Sequence, residues 1–457
     1  MNTLLLTLLA CTSGVLIEFD ESPTEDSAAA TTDDTTDPGT TGETGGTSDD
    51  TETSGPDDTA LTDTGVSDPD TAVEELPDAP VPGDLEDLFG DEVIEIRLTI
   101  GDEAWEELED QSNRANSVGA EYYDFTYVEG TVTYDGVTYG PIGVRIKGQG
   151  SYQPIWVKAS LKLKFDLYDE DLRFLDGLNR LTLNNMSNDY SMAHERMAYR
   201  VYREAGVPAS RAGHAEVYIN DESFGLYTVL ETVDKDMIRE WYKSDEGVLY
   251  EGWDVDFYSS YVSSYELEFG DDIYGRQQLA LAADALRSGS GQAALDAVDA
   301  YIDVDQFLRY WAAEAVIAQF DAYPYSSPGD DYFIYLDPAD ARFDFIPWGN
   351  DETFYSPDSN VVSYAYGVLA EECNRSNDCK ARFAEHVWDI MSTAEGFDDG
   401  AGWLAYHDSV IAQIAPYVQA DTHKTYSNNT VTQYQASMRD FIEDRPLKLQ
   451  QWVGPRP

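Results

Sequence analysis

FDAYPYSSPGDDYFIYLDPADARFDFIPWGNDETF, residues 320–354, is the stretch on which the reading of this chain turns. An aromatic run at 332–336, the turn pair Asp337-Pro338 and a second apolar run at 343–347 read as an antiparallel hairpin. Carboxylates stand at both of its ends: Asp321, Asp330 and Asp331 precede the first strand, and Asp351 follows the second. One hairpin therefore brings several acidic side chains together, and clustered carboxylates are the ligand set of a hard cation. Aspartates scattered through the loops of an acidic protein would look the same locally, so both readings stay open at this point.

The rest of the chain bears on that choice. It has 457 residues and a formal net charge of -60, unevenly spread. Residues 12–90 hold 23 Asp or Glu and no Lys or Arg, in a background of Thr, Ser, Gly and Pro. Such a segment has no core to bury and reads as a disordered, extended spacer. The remainder keeps 65 acids against 28 bases, so the folded part is itself anionic. That balance argues against nucleic acid and anionic lipid surfaces as partners.

The opening residues MNTLLLTLLAC form an apolar run too short to span a bilayer. They resemble a bacterial lipoprotein signal, with residues 1–10 removed and Cys11 lipidated, although no Lys or Arg precedes the apolar run. A plain secretory signal with an incidental cysteine is the alternative. Cys373 and Cys379 remain, and an even pair in an exported chain is expected to form a local disulfide. The five histidines show no ligand spacing, so zinc is not expected.

Folded structure is expected from Asp91 onward, starting with a strand at 93–100, a helix at 104–110 and two strands within 125–144 about the hairpin pair Asp135-Gly136. Then comes VRIKGQGSYQPIWVKASLKLKFD, residues 144–166, with five basic residues, Arg145, Lys147, Lys158, Lys162 and Lys164. Period-two alternation across 157–165 places Lys158, Ser160, Lys162 and Lys164 on one face of a strand. A lysine row in so acidic a chain suggests an anion site, and the preceding Gly148-Gln149-Gly150-Ser151 would present backbone N–H groups to phosphate. An edge strand protected by lysines is the plainer alternative. A helix is expected over 191–205, stopped by Gly206-Val207-Pro208. Strands follow at 215–219 and 226–231 about the polar turn 220–223, then at 247–250, and helices at 277–287, 292–301 and 304–320.

VRIKGQGS, VKASLKLKF, the run from His194 to Lys235 and YFIYLDPADARFDFIPWGND resemble, in order, the successive blocks of the CotH family, the spore coat protein H kinases and their relatives. The resemblance implies an α+β, atypical protein-kinase-like fold over 91–457, with a strand-rich lobe at about 91–235 and a helix-rich lobe at about 236–457, preceded by the acidic linker 11–90. It implies transfer of phosphate from ATP, with Mg2+ or Mn2+, to Ser or Thr of surface proteins. Carried across by position, it makes Lys162 the first choice for the phosphate-binding lysine, with Lys164 and Lys158 as rivals and Arg145 nearby. Glu195 would pair with that lysine, with Glu204 as an alternative. Glu231-Thr232-Val233 would be the hinge against the nucleotide, Asp321 the catalytic aspartate, and Asp331 and Asp351 the metal ligands. Two positions depart from the family pattern: Gly349 stands where an aspartate is usual and Asp331 where an asparagine is usual. The second function class is therefore a catalytically silent surface or adhesion module, held at the envelope by the lipid and projected from it by the linker.

Overall fold

The computed structural model describes residues 85–457 apart from 176, 327 and 397–401. The expected signal, Cys11 and the expected linker as far as residue 84 lie outside the described residues. What is described is a mixed α+β structure with two sheets.

Seven strands close into a barrel: β1 (Val93–Ile100), β2 (Val128–Tyr134), β3 (Val137–Lys147), β4 (Ser160–Lys164), β5 (Arg180–Asn184), β6 (Ala212–Ile219) and β7 (Glu222–Glu231). Their order around the barrel is β1-β2-β3-β4-β5-β7-β6. Neighbours run antiparallel until the closing pair, β1 and β6, which is parallel with Ile96 opposite Val217. Alternation fills the interior: Ile96 and Leu98, Val144 and Ile146, Leu161 and Leu163, Leu181 and Leu183 are all buried there. The β2–β3 turn uses Asp135 and Gly136 at φ 45° and 76°, the double left-handed geometry that an Asp-Gly pair favours. A second tight turn, Asn220-Asp221, joins β6 to β7 in place of the four-residue turn expected. The Asn220 amide also exchanges hydrogen bonds with the Ile100 backbone and pins the end of β1.

Three helices accompany the barrel: α1 (Leu85–Leu88), α2 (Asp102–Val118) and α3 (His194–Glu204). The fold reaches back past Asp91, because Leu88 is buried in the barrel's apolar cluster and Arg196 donates to the Gly90 carbonyl. The apolar side of α3, Met197, Ala198 and Val201, packs into the core of the second half instead of the barrel. This helix therefore stands at the join of the two.

In the second half, β8 (Val248–Gly252), β9 (Glu266–Phe269), β10 (Tyr332–Asp337) and β11 (Arg342–Pro347) form an antiparallel sheet in the order β11-β10-β8-β9. The hairpin of the opening stretch is present, with Tyr332 opposite Pro347. Helices α4 (Lys235–Tyr242), α5 (Asp272–Leu286), α6 (Gln292–Val298), α7 (Val304–Ile317), α8 (Val368–Asn374), α9 (Asn377–Gly396), α10 (Gly402–Ala420) and α11 (Asn428–Val453) make up the rest. The helix α7 is buried on nearly every side, which suits its run of apolar and small residues, and Asp303 caps its start by accepting from the Gln306 N–H. Cys373 and Cys379 are bonded to each other, with an S–S length of 2.02 Å, across the α8–α9 junction. Among the described residues no helix is long and apolar enough to cross a membrane.

Candidate active site

The barrel strands β3 and β4, the turn Gly148–Ser151, β8 and the loops at 321, 330–331 and 348–352 enclose a cleft of about 510 Å³. That volume is within the usual range of small-molecule sites. Period-two alternation aims Arg145 and Lys147 from one face of β3, and antiparallel pairing sets Lys162 of β4 opposite Arg145. At the end of β3 the Lys147 Nζ donates to Asn184 Oδ1 at 2.8 Å, and Asn184 Nδ2 donates to Glu195 Oε1 at 2.7 Å. Asn184, the last residue of β5, thus joins the lysine to the glutamate of α3. The Trp348 ring lies 5.2 Å from the same ammonium.

Electrostatics in the cleft all point one way. Burial lowers the pKa of Lys147, while Glu195, Asp351 and Asp331 oppose that shift. Burial raises Glu195 to about 8, helped by the charge of Asp351. Asp331 is pushed well above the carboxylate range by burial and then by Asp330, Asp321 and Asp351. Asp321 rises to about 6, first through burial and then through Asp330 and Asp351. Burial also raises Glu251 and Glu352 to about 7. Ten acidic side chains line the cleft against three basic ones, so a polyphosphate would enter only with cations that offset this surplus.

Among the described residues no three His, Cys, Asp or Glu side chains form a ready-made metal cage. Magnesium is commonly held by one or two carboxylates together with substrate phosphates and water. The oxygen-only donors Asp351 and Asp331, both raised in pKa by burial and by neighbouring carboxylates, suit that mode. Gly349 takes φ 56°, and a Cβ added there would lie 2.1 Å from Asp331 Oδ2. The Asp331 carboxylate thus occupies the space that a side chain at 349 would need. On the other side of the loop, His194 Nδ1 lies 3.0 Å from the Asp351 carbonyl, which requires the ring nitrogen to donate. Asp189 accepts from the His194 N–H at 2.7 Å and caps the helix that carries Glu195.

Six of the residues singled out from the sequence line this cleft: Arg145, Lys162, Glu195, Asp321, Asp331 and Asp351. Four others do not. Lys158 is buried outside the strand, where its ammonium donates to Asp421 Oδ2 at 2.6 Å and to the Leu226 carbonyl at 2.7 Å; its neighbours saturate it and it cannot reach phosphate. Lys164 lies further along β4, opposite Gly143, away from the cleft lining. The Glu231 carboxylate is taken up by Arg211 at 2.6 Å, and Val233 packs against Met237 and Ile238 in a small apolar cluster. Glu204, the alternative partner for the lysine, pairs instead with Arg200. Sequence reasoning gave no role to Lys147, Asn184, Glu251 or Glu352, all of which line the cleft. For Lys147 a signal existed: it shares a strand face with Arg145 and immediately precedes the glycine turn.

Comparison with known proteins bears on this cleft. Inner spore coat protein H of Bacillus subtilis (strain 168) is 24% identical over 193 residues, 39% of this chain and 51% of that protein, so the chain spans about half the length of the curated relative. Among solved structures, a proinflammatory kinase of Helicobacter pylori, CtkA, overlaps 62% of this chain and 91% of its own at a TM-score of 0.30 and 9% identity. The HipA–HipB toxin–antitoxin complex of Shewanella oneidensis MR-1 overlaps 60% and 58% at 0.27 and 10% identity. Neither overlap is close enough to establish a shared topology. Residues 144–449, which contain Lys147, Lys162, Asn184, Glu195, Asp321, Asp331 and Asp351 of the cleft, match the family described as CotH kinase protein, and the chain belongs to that family.

Proposed function

We propose that this chain is an exported, lipid-anchored phosphotransferase that moves the terminal phosphoryl group of ATP to a Ser or Thr hydroxyl of a surface protein. The observation that carries the reading is the Lys147–Asn184–Glu195 chain at one wall of a cleft whose other wall presents Asp321, Asp331 and Asp351. In this reading the barrel and the helix-rich half act as the two lobes of an atypical kinase-like fold, with the nucleotide between them. Lys147 lies against the phosphates and Lys162 adds a second cation, while Glu195 keeps Lys147 from swinging away. Asp331 and Asp351 would hold magnesium, which when bound neutralises charge on the phosphate oxygens. Asp321 orients the acceptor hydroxyl and takes its proton as the oxygen attacks phosphorus, with the terminal phosphate leaving ADP behind. Burial suits Asp321 to that task, since a carboxylate raised to about 6 is a better base than an ordinary one and still ionised at neutral pH.

The test is transfer of terminal-phosphate label from ATP to the protein itself or to a Ser/Thr-rich acceptor. Asp321→Asn should retain a nucleotide-dependent thermal shift and lose transfer by ~10²- to 10⁴-fold. Asp351→Asn should lose the metal-dependent part of the shift as well. A wild type that transfers no label with either magnesium or manganese would instead support the silent surface module. The envelope assignment is tested separately: labelled fatty acid should be incorporated into the wild type and not into Cys11→Ser.

A further inference from the structure

The helix α7 ends just before Asp321, and its end is held from two sides. Ala318 adopts a left-handed φ of 57° and, like Gln319, donates its N–H to the Glu314 carbonyl. The buried Arg445 guanidinium, carried by α11, donates to the carbonyls of Ala315 and Val316. The chain therefore leaves the helix in a set direction, and Gln319 is wholly buried at that point. Its Oε1 accepts from the Asp321 N–H at 3.2 Å. Its Nε2 donates to the Gly349 carbonyl at 2.9 Å. One amide thus joins the segment that carries Asp321 to the loop that carries Asp351, and Gly349 has no side chain of its own with which to make such a link.

We infer that Gln319 is a positioning residue that sets the spacing between Asp321 and the Asp351 loop, and so between the acceptor hydroxyl and the phosphate. This rests on the phosphotransferase reading above. A buried side chain that only filled space would be replaceable by one of equal volume. A strut with both ends bonded is not, because each loop then relaxes independently, and a misplacement of about 1 Å is enough to cost ~10²-fold in rate.

The experiment uses the full chain and compares wild type, Asp321→Asn, Gln319→Met and Gln319→Glu. Methionine keeps the volume and removes both bonds, whereas glutamate keeps the acceptor and removes the donor to Gly349. The expected result is a kcat lowered ~10- to 10²-fold in both Gln319 variants with KM for ATP within ~3-fold of wild type. The magnesium concentration for half-maximal rate should rise in both, since both release the Asp351 loop. If both variants keep kcat within ~3-fold of wild type while Asp321→Asn is dead, the positioning role is wrong and the phosphotransferase reading stands. If kcat and KM worsen together, only in proportion to a lower thermal midpoint, the residue is merely structural and the inference falls. If wild type and Asp321→Asn are equally inactive or equally active, the reading fails and the inference falls with it. Should Gln319→Met not fold, Gln319→Glu carries the same comparison.

Discussion

Lys158 and Lys147 lie eleven residues apart in the same basic stretch and end in opposite circumstances. Lys158 is buried, with one carboxylate, Asp421, and one carbonyl, Leu226, at hydrogen-bond distance and the Tyr227 ring at 5.0 Å. Its charge is matched within a closed pocket, and the pair ties the barrel to the segment between α10 and α11. Lys147 is half-buried at a cleft wall, reaches Glu195 only through Asn184, and faces more carboxylates than it can balance. A matched buried charge holds structure together. A mismatched group of charges leaves room for a ligand that completes the balance, which is why perturbed carboxylates collect around the second lysine and not the first.

The largest effect that would sharpen this contrast is on stability. Lys158→Ala leaves the Asp421 carboxylate buried without its partner and should destabilise the protein by ~3–5 kcal/mol in denaturant unfolding. The double change Lys158→Met with Asp421→Leu should recover most of that loss, because no orphaned charge remains. Lys147→Met should do the reverse, lowering phosphate transfer by ~10²- to 10³-fold with a much smaller change in stability. A Lys147→Met protein as unstable as Lys158→Ala would break the comparison.

A third outcome concerns pH. Burial raises Glu251, Asp344 and Asp234 from ordinary values of 4.5, 3.8 and 3.8 to about 7. Between those limits the folded state binds more protons than the unfolded chain, so stability falls as pH rises through that window. His214, pushed down to about 3 by burial and by Arg196, has the opposite slope below its ordinary value, one group against several. The unliganded protein should therefore melt at a higher temperature near pH ~5 than near pH ~8. Magnesium with nucleotide should flatten only the part of that slope that belongs to the cleft, because Asp344 and Asp234 lie outside it. A melting temperature that climbs from acid to alkaline pH would contradict the burial of these carboxylates in neutral form.

The smallest effect is local. Ala318 holds a left-handed backbone that favours glycine, so Ala318→Gly should stabilise by a few tenths to ~1 kcal/mol, once the extra chain entropy of glycine is set against the relieved strain. The same substitution should leave transfer unchanged as long as Gln319 keeps both of its bonds.

Local periodicity was enough to find β1 with both its ends, the Asp135-Gly136 hairpin, the hairpin of 332–347 and the helix bearing Glu195. These elements carry strong alternation, a turn pair with a defined backbone preference, or a glycine stop, all of which act over a few residues. It was not enough for β5, β9, α4 or any helix after residue 354. The strand β5 is five residues long and is held by neighbours on both sides more than by its own pattern.

The same division runs through the site. Sequence by itself determined the family, the acidic hairpin, and the presence of Asp321, Asp331 and Asp351 close together along the chain, because short-range order and motif succession are written residue by residue. Only the tertiary structure decided which lysines face them: Lys147 and Lys162 line the cleft, and Lys158 and Lys164 do not. Lys158 is removed from the cleft by Asp421, 263 positions away, and Lys147 is admitted to it by Asn184, 37 positions away. Lys158, Lys162 and Lys164 carry the same charge and fall on the same alternation when read along the chain. The desolvation and pairing that separate them come from groups that folding brings in from elsewhere in the chain.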